Sequence, residues 1–232
     1  GDSTHGTQVA GVAAAATHNG IGVAGTSWQS PVMALRVLGP SQTGTYSAVA
    51  EALIYAADNG ARVMNMSLGG PEDKTLTLKN AVDYVLAQGG LPVASTGNSG
   101  AEGVLYPAAL PDVLAVAAVT GSDAWATFSN YGEEVDIAAP GMNIFTTSII
   151  GYSAFSGTSA AAPHVSGAAA LVWAAQPGWS AQQVAGTLTG TAKDVEAPGW
   201  DEKTGWGRVD AYAAVLTARP PVSIYVPTFY HQ

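Results

Sequence analysis

From Pro31 onward the chain alternates between short unbroken apolar runs and longer segments whose apolar residues recur every three or four positions. Val32–Leu38 (VMALRVL), Arg62–Met66 (RVMNM), Leu91–Ser95 (LPVAS) and Val113–Val119 (VLAVAAV) are runs of the first kind. Their shortness and valine content predict buried strands rather than free-standing helices. Ser47–Asn59 and Lys74–Gln88 are of the second kind, and each is followed by a glycine, Gly60 or Gly89, placed to end a helix in the left-handed conformation. Ser180-Ala181-Gln182-Gln183 has the spacing of a capping box, opening a helix that Gly190 closes, and Asp210–Thr217 predicts a final short helix. Strands alternating with helices of this length imply an α/β fold, a mostly parallel sheet covered by helices on both faces in three layers. Such sheets carry their chemistry at the carboxyl ends of strands, which directs attention to the loops after Leu38, Met66 and Ser95.

Composition narrows the picture. A length of 232 residues suits one large domain, expected to span 1–216, with a Pro-containing tail or linker over 217–232. Eight Lys+Arg against 17 Asp+Glu leave a net charge of −9, which argues against nucleic acid or an anionic membrane surface as partner. With 47% hydrophobic and 11% charged residues the chain can bury a sizeable core, so disorder is excluded. The absence of cysteine removes disulfides, thiolate metal sites and a cysteine nucleophile together. The most apolar stretch, Ala160–Ala175, is interrupted by Pro163, His164 and Ser166 and falls short of the ~20 residues needed to cross a bilayer. No signal-peptide pattern follows Gly1, so a soluble domain lacking its natural start is expected.

Two passages carry chemistry-bearing residues against this apolar background: His5-Gly6-Thr7-Gln8-Val9-Ala10-Gly11 and Gly157-Thr158-Ser159-Ala160-Ala161-Ala162-Pro163-His164-Val165-Ser166-Gly167. In the second, a serine opens a long alanine-rich helix, with Pro163 expected in the first turn, where its missing N–H costs nothing. Small residues after Ser159 leave room for a substrate carbonyl to approach the free N–H groups and positive dipole at the helix start. A serine hydroxyl is a weak nucleophile without an adjacent base, and His5 is the available partner. Taken alone, Ser159 reads better as a helix cap than as a nucleophile. A third passage, Ala94-Ser95-Thr96-Gly97-Asn98-Ser99-Gly100, follows a buried strand and places Asn98 at its end. Its amide N–H and the Ser159 backbone N–H would form a two-donor oxyanion hole, although Asn98 alone also fits a left-handed turn.

At this point the chain resembles the catalytic domain of a subtilisin-like serine protease, a subtilase. HGTQVAG resembles the family's histidine motif, GTSAAAPHVSG its serine motif, ASTGNSG its oxyanion asparagine motif and NMSLGG (Asn65–Gly70) its substrate-binding segment. The likeness continues through Tyr106-Pro107, Phe128-Ser129-Asn130, Ala139-Pro140-Gly141 and Gly205-Trp206-Gly207-Arg208-Val209-Asp210, and covers His5 to Leu216. Several long motifs in one order are far more specific than any single short pattern. The resemblance implies a subtilisin-like fold lacking its first strand, an acyl-enzyme endopeptidase mechanism, and His5 as base, Ser159 as nucleophile and Asn98 as oxyanion donor. It further implies that Ser67, Leu68, Gly69 and Gly70, together with Ser95, Thr96 and Gly97 and the Ser41–Gly44 edge (Thr43 and Gly44), bind an extended polypeptide by strand addition. Leu105, before Tyr106-Pro107, stands where the family often has glycine, which implies a shallow pocket for small or medium apolar P1 residues. By resemblance the protein is extracellular and monomeric, and needs no cofactor for catalysis.

Three departures qualify the likeness. The family's triad aspartate precedes the histidine on a strand, whereas only Asp2 is acidic ahead of His5 and it lacks the Asp-Ser/Thr-Gly context. The 232 residues alone are therefore expected to be nearly inactive. Gln8 replaces a common histidine, with a modest change in packing. Thr17–Val23 resembles a calcium loop to which Asn19 supplies one side-chain oxygen, so an incomplete structural Ca²⁺ site is expected. His18 and His231 read as surface residues and His164 as a packed core histidine. Two competing readings differ in class. Gly20-Ile21-Gly22-Val23-Ala24-Gly25 fits a dinucleotide G-x-G-x-x-G, but a helix precedes it and a strand follows, the reverse of the required context. A non-catalytic subtilase-like peptide-binding or scaffold domain has no chemical need for His5, Asn98 and Ser159 together.

Overall fold

A computed structural model describes residues 4–219. The elements run α1 (His5–Ala14), α2 (Tyr46–Asp58), β1 (Val63–Met66), α3 (Thr77–Ala87), β2 (Leu91–Ser95), β3 (Leu114–Val119), β4 (Ile137–Pro140), β5 (Ile144–Thr147), β6 (Tyr152–Phe155), α4 (Thr158–Ala175), α5 (Ala181–Gly190) and α6 (Ala211–Ala218). β1 to β4 form a parallel sheet in sequential order, and β5 and β6 form a separate antiparallel hairpin. The expected three-layer α/β architecture is present.

The strands alternate faces as period-two geometry demands. Leu114, Val116 and Ala118 of β3 join the core beneath α4, α5 and α6, while Ala115, Ala117 and Val119 join the core beneath α2 and α3. Every residue of β2 and β3 is buried, which explains runs without polar alternation. α4 is likewise buried on nearly all sides and serves as the central helix of its layer. Three helix starts, those of α2, α5 and α6, follow side-chain caps. Thr45 accepts from Ala48 N–H, Asp210 accepts from Ala213 N–H, and Ser180 and Gln183 form the expected reciprocal box. Asp73 accepts from the N–H groups of Thr75 and Leu78 and so fixes the entry to α3, which begins at Thr77 rather than at Lys74.

Two expectations are corrected. Val32–Leu38 forms no strand, and Val32, Met33 and Leu35 are 53%, 40% and 37% exposed. A strand needs a ladder partner, and among the described residues β1 pairs only with β2. Residues 31–38 instead line an open groove of about 1790 Å³ whose other walls include β1, α1 and α2. Pro163 does not sit in the first turn of its helix, because α4 begins at Thr158 and continues through it. The expected tail falls outside the described residues from Pro220 on, with His231, and so does Asp2.

Candidate active site

Parallel strands deliver β1 and β2 side by side, so the loops at their carboxyl ends, Ser67–Gly70 and Thr96–Gly100, open beside the start of α4. Asn98 Oδ1 accepts from Thr158 N–H at 2.7 Å and from Thr158 Oγ1 at 2.9 Å. Thr158 Oγ1 also lies 3.2 Å from both the N and the O of Gly97. These bonds fix which way the amide points: its oxygen is committed to the helix start, and its Nδ2 group donates to no described residue. Gly157 adopts φ +144, and a Cβ built there would lie 3.4 Å from Asn98 Nδ2 and 3.6 Å from Ser159 N. Two donors, one from a side chain and one from an uncapped helix amide, therefore converge on the space that Gly157 leaves open.

Ser159 is braced from the other side. Pro163 carries no N–H, so the Ser159 carbonyl loses its helical partner four residues on. Ser67 Oγ donates to that oxygen at 2.9 Å, and Ser159 Oγ donates back to the Ser67 carbonyl at 3.3 Å. The proline thus frees a carbonyl for the strand-end loop to hold, which ties the helix of Ser159 to β1. Asn65 and Ser166 extend the tie, with Ser166 Oγ donating to Asn65 Oδ1 at 2.9 Å.

His5 opens α1 and is half-buried. Its ring meets Phe155 edge-on, with centroids 5.5 Å apart, and Phe155 ends the strand that leads within four residues to Ser159. Burial lowers the imidazole pKa from its ordinary value, so the ring is neutral near pH 7 and able to accept a proton. His164 is also held neutral by burial, with Nδ1 2.9 Å from the Ala160 carbonyl inside α4.

The remaining candidates fall into three groups. Leu68, Gly69 and Gly70 border the groove together with His5, Thr43, Gly44 and Tyr106. Gly70 and Tyr106 exchange backbone hydrogen bonds at 2.9 and 3.0 Å, and Tyr46 Oη donates to the Pro71 carbonyl at 2.5 Å, closing one end of that border. Leu105 stands between two glycines: a Cβ at Gly69 would lie 2.9 Å from Leu105 Cβ, and one at Gly97 2.9 Å from Leu105 Cδ1. Ser95 and Thr96 are buried at the end of β2, behind this wall. Asn19 does not border the groove, and its Oδ1 accepts from Ile21 N–H at 3.0 Å within its own loop. Residues 17–23 hold no carboxylate, and among the described residues no group of three or more His, Asp or Glu could hold a metal. Sequence reasoning passed over Thr158 and Phe155. The first was visible in the serine motif, whereas the second depends on a hairpin that no pattern announced.

Comparison with known proteins identifies the family. The profile of the Subtilase family matches residues 1–207. A thermophilic serine proteinase of Bacillus sp. (strain AK1) is 44% identical over 215 residues, covering 92% of this chain and 52% of its own length. Thermitase of Thermoactinomyces vulgaris is 43% identical over 214 residues, covering 91% of this chain and 74% of its own. A solved structure described as proteases from Pseudoalteromonas arctica superposes with a TM-score of 0.86 at 36% identity, covering 92% of this chain and 70% of that one. The chain thus spans about half the length of the first relative and about three quarters of the second.

Proposed function

The chain belongs to the subtilase family, and from that premise we propose that it is the catalytic domain of a serine endopeptidase acting, as an extracellular monomer, on extended polypeptides. The observation that carries this reading is that Asn98 Nδ2 and the Ser159 backbone N lie 3.4 and 3.6 Å from one point, the Cβ position that Gly157 leaves empty. In the mechanism, His5 takes the Ser159 hydroxyl proton as Oγ attacks the scissile carbonyl. The carbonyl oxygen, now an anion, accepts from the two converging donors, and His5 returns the proton to the leaving amine. Water then repeats the sequence on the acyl-enzyme. The donors require no reorganisation, because Thr158 already holds the Asn98 amide in its working orientation. The family places the acid that orients the imidazole ahead of the histidine, and the 232 residues hold only Asp2 before His5. Taken alone they should therefore turn over several orders of magnitude more slowly than a complete triad, with the oxyanion donors still in place.

We infer that substrate lies along Ser67–Gly70 and Thr43–Gly44, with its P1 side chain directed toward Leu105. A leucine filling the space between Gly69 and Gly97 leaves room for small or medium apolar side chains only. Long incubation with a random peptide mixture, read by mass spectrometry, tests both parts. Cleavage after residues such as Ala or Val is expected, with Leu105→Gly shifting preference toward Phe and Tyr by roughly 10- to 100-fold. Cleavage after Arg or Lys would refute the pocket, and no cleavage by any form would favour a peptide-binding domain without catalysis.

A further inference from the structure

Asn130 lies in the loop between β3 and β4 and is 2% exposed, although its side chain is an amide. A buried amide must find partners for both its oxygen and its nitrogen. Its Oδ1 accepts from Ser99 N–H at 2.8 Å and from Ser99 Oγ at 2.7 Å, and its Nδ2 donates to the Gly103 carbonyl at 2.9 Å. A backbone N–H only donates and a carbonyl only accepts, so these partners fix the orientation of the amide. The Asn130 backbone N–H donates in turn to the Gly97 carbonyl at 3.0 Å.

All four bonds end on residues 97–103. Gly97 and Ser99 are the two neighbours of Asn98, so Asn130 holds the backbone on both sides of the oxyanion residue. Thr158 then sets the direction of the Asn98 amide. On its other side, Asn130 holds Gly103, two residues before Leu105, the residue to which the P1 side chain is directed. Its amide also packs on Gly97 alongside that leucine: a Cβ at Gly97 would lie 2.7 Å from Asn130 Nδ2 and 2.9 Å from Leu105 Cδ1. One side chain therefore joins the Asn98 half of the loop to the Leu105 half. Catalytic groups are sensitive to such support, since a misplacement of about 1 Å can cost 100-fold in rate.

We propose that Asn130 is a positioning residue for both parts of the reaction. It sets where the Asn98 donor stands and how far the Leu105 wall can yield, so that oxyanion stabilisation and P1 size selection are coupled through one buried amide. This rests on the endopeptidase reading above and deepens it, because the same side chain then governs both rate and choice of substrate.

The test is acylation of Ser159 by two peptide p-nitrophenyl esters, one with Ala and one with Phe at P1. The p-nitrophenol burst, followed at varied ester concentration and well below the melting temperature of each variant, gives a saturating rate and a half-saturating concentration. Asn130→Ala is expected to lower the saturating rate with the Ala ester roughly tenfold or more, with little change in half-saturating concentration, because an oxyanion donor acts in the transition state. Its Ala-to-Phe rate ratio should fall by roughly tenfold as the wall yields. Asn130→Asp at pH 8 keeps the acceptor for Ser99 and loses the donor to Gly103, so it should recover most of the acylation rate but not the ratio. Ser99→Ala, at an exposed position, removes one bond on the Asn98 side. It should slow the Ala ester about threefold without moving the ratio, and it carries the test where Asn130→Ala does not fold. A lower melting temperature with wild-type rate and ratio would make Asn130 a packing residue and overturn the coupling. A rate loss in Asn130→Ala that Asn130→Asp does not recover would overturn it as well. No burst from the wild type with either ester would overturn the endopeptidase reading and this inference with it.

Discussion

The two flanks of the candidate site are built differently. On the side of Ser159, β1 and β2 are paired, their loops are buttressed by α4, and three side-chain ties link them to that helix: Asn98 Oδ1 with Thr158, Ser67 with Ser159, and Asn65 with Ser166. On the histidine's flank, α1 rests on the β5–β6 hairpin and borders a wide groove walled by residues that form no ladder. The oxyanion machinery is thus held by directional bonds, whose loss can be felt one atom at a time. His5 sits at the start of a helix that two threonine hydroxyls of β5 hold in place. Preorganised donors are the costlier part of such a site to disturb, because they act where charge develops.

The largest expected effect comes from Asn98→Asp. The carboxylate keeps the acceptor for Thr158 N–H but removes the donor and places negative charge beside the oxyanion. Acylation of Ser159 should slow at least 100- to 1000-fold, the loss known for an oxyanion donor in subtilisin, with the melting temperature little changed. An unchanged acylation rate would show that the convergence at Gly157 is structural only.

Next in size is a pH effect at the opposite end of the same sheet, where β3 and β4 begin. Asp136 precedes β4, accepts from Ala115 N–H at 2.8 Å, and has its pKa raised to about 6, first by burial and then by the nearby Asp112 charge. A raised carboxyl contributes stability that is complete below its unfolded pKa near 4 and is lost as pH rises through about 6. The loss amounts to roughly 2–3 kcal/mol between pH 4 and pH 7. Asp136→Asn keeps an oxygen for Ala115 and should flatten that part of the denaturation profile, with a higher melting temperature than the wild type at pH 8 and an equal one at pH 4.

A smaller effect sharpens the account of the serine's bracing. Ser67→Ala strips the Ser159 carbonyl of its partner and should destabilise the chain by about 1–2 kcal/mol. Pro163→Ala introduces an N–H that can take up the same carbonyl, so the double variant should recover most of that loss. Additive losses in a denaturant series would instead mean that the Ser67–Ser159 contact contributes little.

These contrasts also explain what could be read from the chain alone. β2, β3, α2 and the capping box of α5 were legible because periodicity and caps are local, and the expected boundaries agree within a residue or two. His5, Asn98 and Ser159 were nominated through motif resemblance, since nothing in spacing alone brings residues 5, 98 and 159 together. Val32–Leu38 misled because its apolar run is strand-like, while a strand depends on a neighbour that no local pattern reveals. Pro163 misled for a related reason: its place inside α4 is tolerated only because Ser67, nearly a hundred residues away, holds the carbonyl it frees.

The central claim, that His5 activates Ser159, is tested most directly by the pH dependence of fluorophosphonate labelling at Ser159, mapped by mass spectrometry in the wild type and in His5→Gln. The wild type should label at Ser159 alone, with a rate that rises through a single titration centred below 6.5, since burial lowers the imidazole pKa from that ordinary value, and then reaches a plateau. His5→Gln should label far more slowly, with no titration in that range. Equal rates in the two proteins, or an adduct on any other serine, would contradict it.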